Sequence, residues 1–236
     1  MILVVSSVVD DTAAKLAQEV RSFAPASVLT CRDLAMSKCA LRCPDVVASE
    51  INLDGHRVMA SEIRGAVNLL PAVFPDELYF YPDSEREYQA AEFHALLTFF
   101  LGALPCTVVN RPTATSLVGP YSGRSAWLHF ACKLAIPVAE VRLSSEDWAN
   151  SRAMRPPGAP IEIVWLHGDV VSGSGPAAEY ACRLAAAAGV EYLRATFVRI
   201  DAGVALFSAS TVPILCDAAT RDGLIRLCRE WAAGAQ

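Results

Sequence analysis

Positive charge is in short supply. Twenty Lys and Arg residues stand against 25 Asp and Glu, a net charge of −5. A protein built to hold a nucleic-acid backbone or an anionic membrane surface carries the opposite sign, so neither is expected as a partner. Long apolar runs are also missing, because no stretch approaches the ~18 apolar residues of a bilayer-spanning helix. The apolar start MILVVSSVV has no basic segment and turns acidic at Asp10 and Asp11. That reads as a buried first strand rather than a secretion signal, and a cytoplasmic location is the expectation. Several catalytic signatures are absent too: GxSxG, a Walker loop with its Lys, and a GxGxxG loop.

What is present is apolar. Hydrophobic residues make up 53% of the 236 and charged residues only 19%, enough to bury a core in one large domain or two small ones and too apolar for extensive disorder. The eight cysteines (31, 39, 43, 106, 132, 182, 216 and 228) read as reduced thiols in a chain without an export signal. Cys106, Cys132, Cys182, Cys216 and Cys228 lie in apolar stretches, where Cys acts as a small hydrophobe. Cys31, Cys39 and Cys43 form a C-x7-C-x3-C group, looser than a zinc site and without a nearby His, so packing or surface thiols are expected rather than a metal.

The pattern along the chain is α/β. Ile2–Val9 reads as a strand, Asp10, Asp11 and Thr12 offer an N-cap, and Leu16, Val20 and Phe23 form a helical stripe before a second strand at Ser27–Thr30. A near-continuous apolar first strand in a β-α-β opening points to a parallel sheet. Asp54-Gly55 between two strand-like runs is a hairpin signal. Residues 84–103 read as a helix with a Ser84-x-x-Glu87 capping box and a stripe of Tyr88, Ala91, Ala95, Phe99 and Gly102. Thr107–Val109 and Ile136–Leu143 read as strands, with a helix over about 122–134 between them. After a polar, Pro-rich stretch at 144–160 come strands at Ile161–Leu166 and Val170–Val171, a helix at Pro176–Ala188, strands at Tyr192–Ile200 and Val204–Ser208, and a helix at 218–233. The partition expected from this pattern is an N-terminal α/β domain at 1–143, a linker at 144–160 and a smaller α+β lobe at 161–236.

The residues yield no strong catalytic constellation. Ser172-Gly173-Ser174-Gly175 before a helix offers backbone N–H groups to a phosphate, but equally reads as a flexible loop. His56 and His167 are expected to be exposed, His94 and His129 to be structural.

Three segments carry a resemblance. INLDGHRVMASEIRGAVNLLP, LPCTVVNRPTATSLVGPYSGRSAWLHFACKLAIPV and the tail from VWLHGDVVSGS to FSASTVPIL are similar, in that order, to the ATP-grasp ligases, especially the ribosomal-protein glutamate ligases and the graspetide (macrocyclic peptide) ligases. The resemblance implies a mostly parallel N-terminal sheet with flanking helices followed by a reduced ATP-grasp core. It implies that Arg124 matches a Lys that holds nucleotide phosphates; Ser174 and Gly175 of the loop before the helix remain the candidate phosphate contacts read from the residues themselves. It also places Thr196 where the family has an Asp, and Ser208 and Ser210 where it has a Glu and an Asn that hold Mg2+ and ATP. The family's central lid subdomain has no counterpart beyond the stretch at 144–160, and the basic residues expected after the hairpin are replaced by Asn68-Leu69-Leu70.

Neutral hydroxyls do not replace hard anionic ligands. The expectation is therefore a non-catalytic binding or scaffold protein without a catalytic residue, metal or cofactor, acting in peptide or protein modification with a protein or peptide partner, as homodimer or heteromer. The alternative is a minimal ATP-dependent carboxylate–amine ligase or nucleotide-binding protein, drawing metal ligands from Asp169, Asp201 or Asp217. A shared architecture without shared function is the third reading.

Overall fold

The computed structural model describes residues 1–114, 116–120, 123–140, 156 and 158–234. In chain order the helices and strands are β1 (Ile2–Val5), α1 (Asp11–Arg21), β2 (Ala26–Leu29), α2 (Cys31–Met36), β3 (Glu50–Leu53), β4 (His56–Met59), β5 (Gly65–Asn68), α3 (Arg86–Ala103), β6 (Thr107–Val109), α4 (Arg124–Lys133), β7 (Ile161–Leu166), β8 (Asp169–Ser172), α5 (Pro176–Ala188), β9 (Tyr192–Ile200), β10 (Gly203–Ser210) and α6 (Ala218–Ala233). The mixed α/β class with a parallel and an antiparallel sheet is the one the sequence predicts. By compactness the chain forms two units, one of Met1–Tyr121, Val190–Tyr192 and Thr211–Gln236, the other of Ser122–Gly189 and Leu193–Ser210. Of the expected linker, residues 144–155 and 157 lie outside the described residues.

The first unit is built on a parallel sheet in the order β2-β1-β5-β6. β1 and β5 are buried at every position, because helices or the hairpin cover both faces of such a sheet. Leu3, Val5, Leu29, Ala66 and Val108 join one core with Ile51 and Leu53 of the β3–β4 hairpin and with Phe93, Leu97, Phe100 and Leu101 of α3. α1, capped by Asp10 and burying Ala13, Leu16, Ala17 and Val20, packs against β1, β2 and α6. α6 also packs on β5. Trp231 of this helix covers Gly65 so closely that a Cβ there would sit 2.1 Å from the indole ring. The sequence partition puts α6 in the C-terminal lobe, yet its packing partners are α1 and β5.

Turn chemistry behaves as the sequence predicts at the hairpin: Asp54 and Gly55 both take positive φ, 52° and 78°, as a two-residue primed turn requires. At α3 it does not. The helix begins two residues late, and its N-cap Glu85 makes no side-chain cap bond. Arg86 instead donates to the carbonyls of Tyr81 and Tyr79 and pairs with Asp83 at 2.8 Å, which holds the preceding loop as a turn and leaves Ser84 outside the helix. The apolar stripe is also the wrong one. Ala90, Phe93, Leu97, Phe100 and Leu101 are buried, whereas Tyr88, Ala91 and Ala95 face solvent. A helix that is apolar all round gives no unique face from periodicity. Helix α2 was not expected. Its N-terminus is a capping box in which Asp33 N–H donates to Thr30 Oγ1 while Thr30 N–H donates to Asp33.

The second unit is an antiparallel sheet, β10-β9-β7-β8, with α5 packed on it through Tyr180, stacked on Phe197, and α4 packed on β10. The expected strand over Ile136–Leu143 appears as a single bridge, Val138 to Leu206, and 141–143 lie outside the described residues. The turn expected at Gly168-Asp169 falls one residue earlier, at His167-Gly168, where φ is 46° and 95°. No described helix is long and apolar enough to cross a membrane.

Candidate functional site

The three positions at which the resemblance places metal ligands do converge. β9 and β10 pair antiparallel, setting Thr196 opposite Ser208 and Arg194 opposite Ser210, so all four project from one face of the sheet. A register shift between Leu206 and Ser208 makes Phe207 the extra residue of a bulge. The neighbouring β7 adds Glu162. Its carboxylate accepts from Arg194 Nε at 2.9 Å through one oxygen and from Thr196 Oγ1 at 2.9 Å through the other. Sequence reasoning missed this ion pair. The available signal was one acidic residue in IEIVWL, just before the buried Ile163–Leu166, and one basic residue in YLRATFVRI, between the buried Tyr192, Leu193 and Ala195.

Magnesium bridging nucleotide phosphates requires hard anionic oxygens left open to the ion. Thr196, Ser208 and Ser210 bring neutral hydroxyls. Thr196 spends its proton on Glu162, and Glu162 is neutralised by Arg194. A guanidinium beside the position also repels a cation. This donor set does not fit a divalent metal. Among the described residues, no three His, Cys, Asp or Glu groups converge elsewhere on a metal-sized site.

Arg124 opens α4, and its guanidinium lies over the Phe207 ring at 3.5 Å while Nε donates to the Phe207 carbonyl at 2.8 Å. Stacking on an aromatic face and a planar donor fork are what Arg offers that Lys does not. Its Nη2 is buried without a hydrogen-bond partner among the described residues, and burial pushes its pKa below the ordinary value. Arg124 thus reaches β10 one residue from Ser208. Ser174 and Gly175 lie elsewhere in the chain's second unit, in the exposed turn between β8 and α5. Gly175 caps α5 with φ at 73° and no side-chain cap bond. Asp217, an alternative ligand, instead caps α6, accepting from Thr220 N–H at 3.0 Å and from Thr220 Oγ1 at 2.6 Å.

The cysteines and histidines offer little reactive chemistry. Burial pushes the Cys31 and Cys228 thiols up to about 12 and raises Cys106 and Cys182 as well, which keeps them protonated and poor nucleophiles. Cys39 packs against the first core and Cys43 is exposed. His56 and His167 are exposed as expected. His129 is exposed too, contrary to its expected structural place.

A second polar cluster belongs to the first unit and is structural. Asn110 follows β6 with φ at 52° and is 2% exposed. Its Nδ2 donates to the carbonyls of Tyr192 and Thr211 at 2.8 and 2.7 Å, and its Oδ1 accepts from the N–H groups of Glu191 and Tyr192 at 2.8 and 2.9 Å. Four hydrogen bonds satisfy the whole amide and tie two later segments of the chain to the end of β6.

No protein-family model matches the chain, and comparison with curated sequences finds no match. Solved structures do resemble it. The macrocyclase MdnC bound with precursor peptide MdnA, from Microcystis aeruginosa MRC, superposes with a TM-score of 0.74 at 10% identity, covering 97% of this chain and 99% of that one. The ATP-grasp ligase PsnB complexed with a minimal precursor, Mg and ADP gives a TM-score of 0.69 at 12% identity, with 98% of each chain covered. A RimK domain protein ATP-grasp from Sphaerobacter thermophilus DSM 20745 gives 0.55 at 15% identity, again over 98% of each. The fold is ATP-grasp-like over nearly the whole chain.

Proposed function

We propose that this chain is a non-catalytic ATP-grasp-like protein that binds a peptide or protein partner in cytoplasmic peptide modification, working beside an active enzyme. The observation that carries the reading is the Glu162–Arg194 ion pair, closed by Thr196, on the face where the resemblance puts the metal ligands. A carboxylate already paired with a guanidinium has little charge left to offer a metal. The fold supports the peptide-modification setting, since the similar structures of MdnC and PsnB are complexes with a precursor peptide and a minimal precursor. Isothermal titration of the purified protein with ATP and Mg2+ tests it. No heat at millimolar nucleotide is expected, and micromolar binding would overturn the proposal.

One observation favours the alternative of a minimal ATP-dependent ligase or nucleotide-binding protein: the buried, unpartnered Nη2 of Arg124, a donor that a phosphate oxygen would satisfy. Under that reading Arg124→Ala abolishes whatever nucleotide binding the titration detects. Unchanged affinity in the variant removes it.

A further inference from the structure

The polar face of the second unit holds more donors than its own acceptors use. Phe207 packs with Val198 and Ala205 in one small cluster. Val198 stands two residues from Thr196 on β9, hence on the same side of the sheet. Arg124, stacked on Phe207 and bonded through Nε to its carbonyl, therefore joins the face that carries Glu162, Arg194, Thr196 and Ser208. Its Nη2 is buried and has no acceptor among the described residues. Ser208, one residue along, is half-buried, and its hydroxyl makes no hydrogen bond among the described residues. Glu162 does not serve either group, because its two oxygens accept from Arg194 and Thr196.

We infer that this face binds a carboxylate of the peptide partner without a metal, Arg124 Nη2 and the Ser208 hydroxyl both donating to it. The inference rests on the proposed reading of the chain as a peptide-binding protein and names the chemistry that the peptide presents. A guanidinium has donors and no acceptor, so a buried, unpaired Nη2 calls for an oxygen from outside. The ring contact and the Nε bond already hold the Arg124 fork in one orientation, and little side-chain freedom is left to lose when an oxygen arrives. Charge selects the kind of oxygen. Arg124 and Arg194 against Glu162 leave one positive charge among the three side chains, which a single carboxylate neutralises. A polyphosphate brings several negative charges to the same place and needs the divalent ion that this donor set does not fit. A neutral amide oxygen satisfies the donor but leaves the charge unmatched, and its hydrogen bond is about half as strong. The Glu162–Arg194 pair, which turns metal away, leaves Arg124 and Ser208 as the donors open to an anion.

An NMR titration of the full chain that follows the Arg124 Nε–H signal, in buffer without Mg2+, tests it. Four compounds are added in turn: glutamate capped at both ends, glutamine capped the same way, N-acetylglycine and inorganic phosphate. Capped glutamate or N-acetylglycine should shift the signal at millimolar concentration, and the tighter of the two tells whether the peptide offers a side chain or a chain end. Capped glutamine should bind about tenfold more weakly, for want of the charge-assisted bond. Ser208→Ala should weaken carboxylate binding about fivefold. That variant loses only a half-buried hydroxyl and stays folded, as circular dichroism checks. Glutamine as tight as glutamate, phosphate tighter than either carboxylate, or unchanged affinity in Ser208→Ala overturns the inference. An Arg124 signal that none of the four compounds moves overturns it as well. The peptide-binding reading fails by a different result, micromolar binding of ATP with Mg2+, so the two failures are told apart.

Discussion

The two sheets use polar residues in opposite ways. In the parallel sheet of the first unit, β1 and β5 are buried throughout and the polar group that matters, Asn110, sits just past a strand end with every lone pair and N–H engaged. In the antiparallel sheet of the second unit, polar residues occupy alternate positions of the strands themselves, and Glu162, Arg194, Thr196 and Ser208 are all only half-buried. A parallel sheet covered on both faces admits a polar side chain only where its hydrogen bonds are met, as with Asn68 at the end of β5, which donates to the Leu117 carbonyl and accepts from the Leu70 N–H. An antiparallel sheet can dedicate one face to them. Polar residues in the first unit therefore hold structure, and those in the second are placed where a ligand or partner can meet them.

Asn110→Ala breaks the first half of that comparison hardest. It takes the amide partner away from the carbonyls of Tyr192 and Thr211 and from the N–H groups of Glu191 and Tyr192, in a site that is buried at Tyr192 and Thr211, and puts an alanine at positive φ. Stranded buried groups cost ~1–3 kcal/mol each before relaxation, so a net loss of about 4 kcal/mol is expected. Urea denaturation measures it, and a loss below about 1 kcal/mol would show that the amide is not structural. Gly65→Ala comes next. Its Cβ would lie within 2.6 Å of three Trp231 ring atoms, and overpacking of this kind costs ~1–3 kcal/mol. If Trp231 is the obstacle, the loss caused by Gly65→Ala should shrink in a Trp231→Ala background. Additivity of the two would place the strain elsewhere.

The sequence reads differently in the two sheets for the same reason. Short, continuously apolar strands such as ILVV announce a buried parallel sheet, and the two last helices are legible because Pro176 and Asp217 mark their starts. α3 is harder, since Tyr88, Ala91 and Ala95 obey helical spacing as well as the buried residues do, and nothing local says which set meets the core. At the candidate site, the resemblance draws the eye to Thr196, Ser208 and Ser210 as what is missing. The Glu162–Arg194 pair is invisible that way because its partners are 32 residues apart, and only the β7–β9 adjacency brings them together. Asn110 is equally long-range, its partners being 81 to 101 residues away.

The smallest effect is the one that sharpens the second half of the comparison. If the polar face of the second unit is closed by its own ion pair, Arg194→Ala leaves Glu162 with the Thr196 hydroxyl donating at 2.9 Å and takes the paired guanidinium away. The side chains are 26% and 35% exposed, so water screens much of the charge and a loss of only about 1–2 kcal/mol is expected. Glu162→Gln in the Arg194→Ala background removes the uncompensated charge and should recover part of that loss. The cycle formed by wild type, the two single variants and the double variant would then give a coupling of about 1 kcal/mol in thermal or urea denaturation. A coupling near zero would mean that water already separates the two groups in energy if not in distance. Glu162 would then keep enough free charge to attract a metal ion, and the contrast between a closed structural network in one unit and a self-neutralised face in the other would fail at its weaker end.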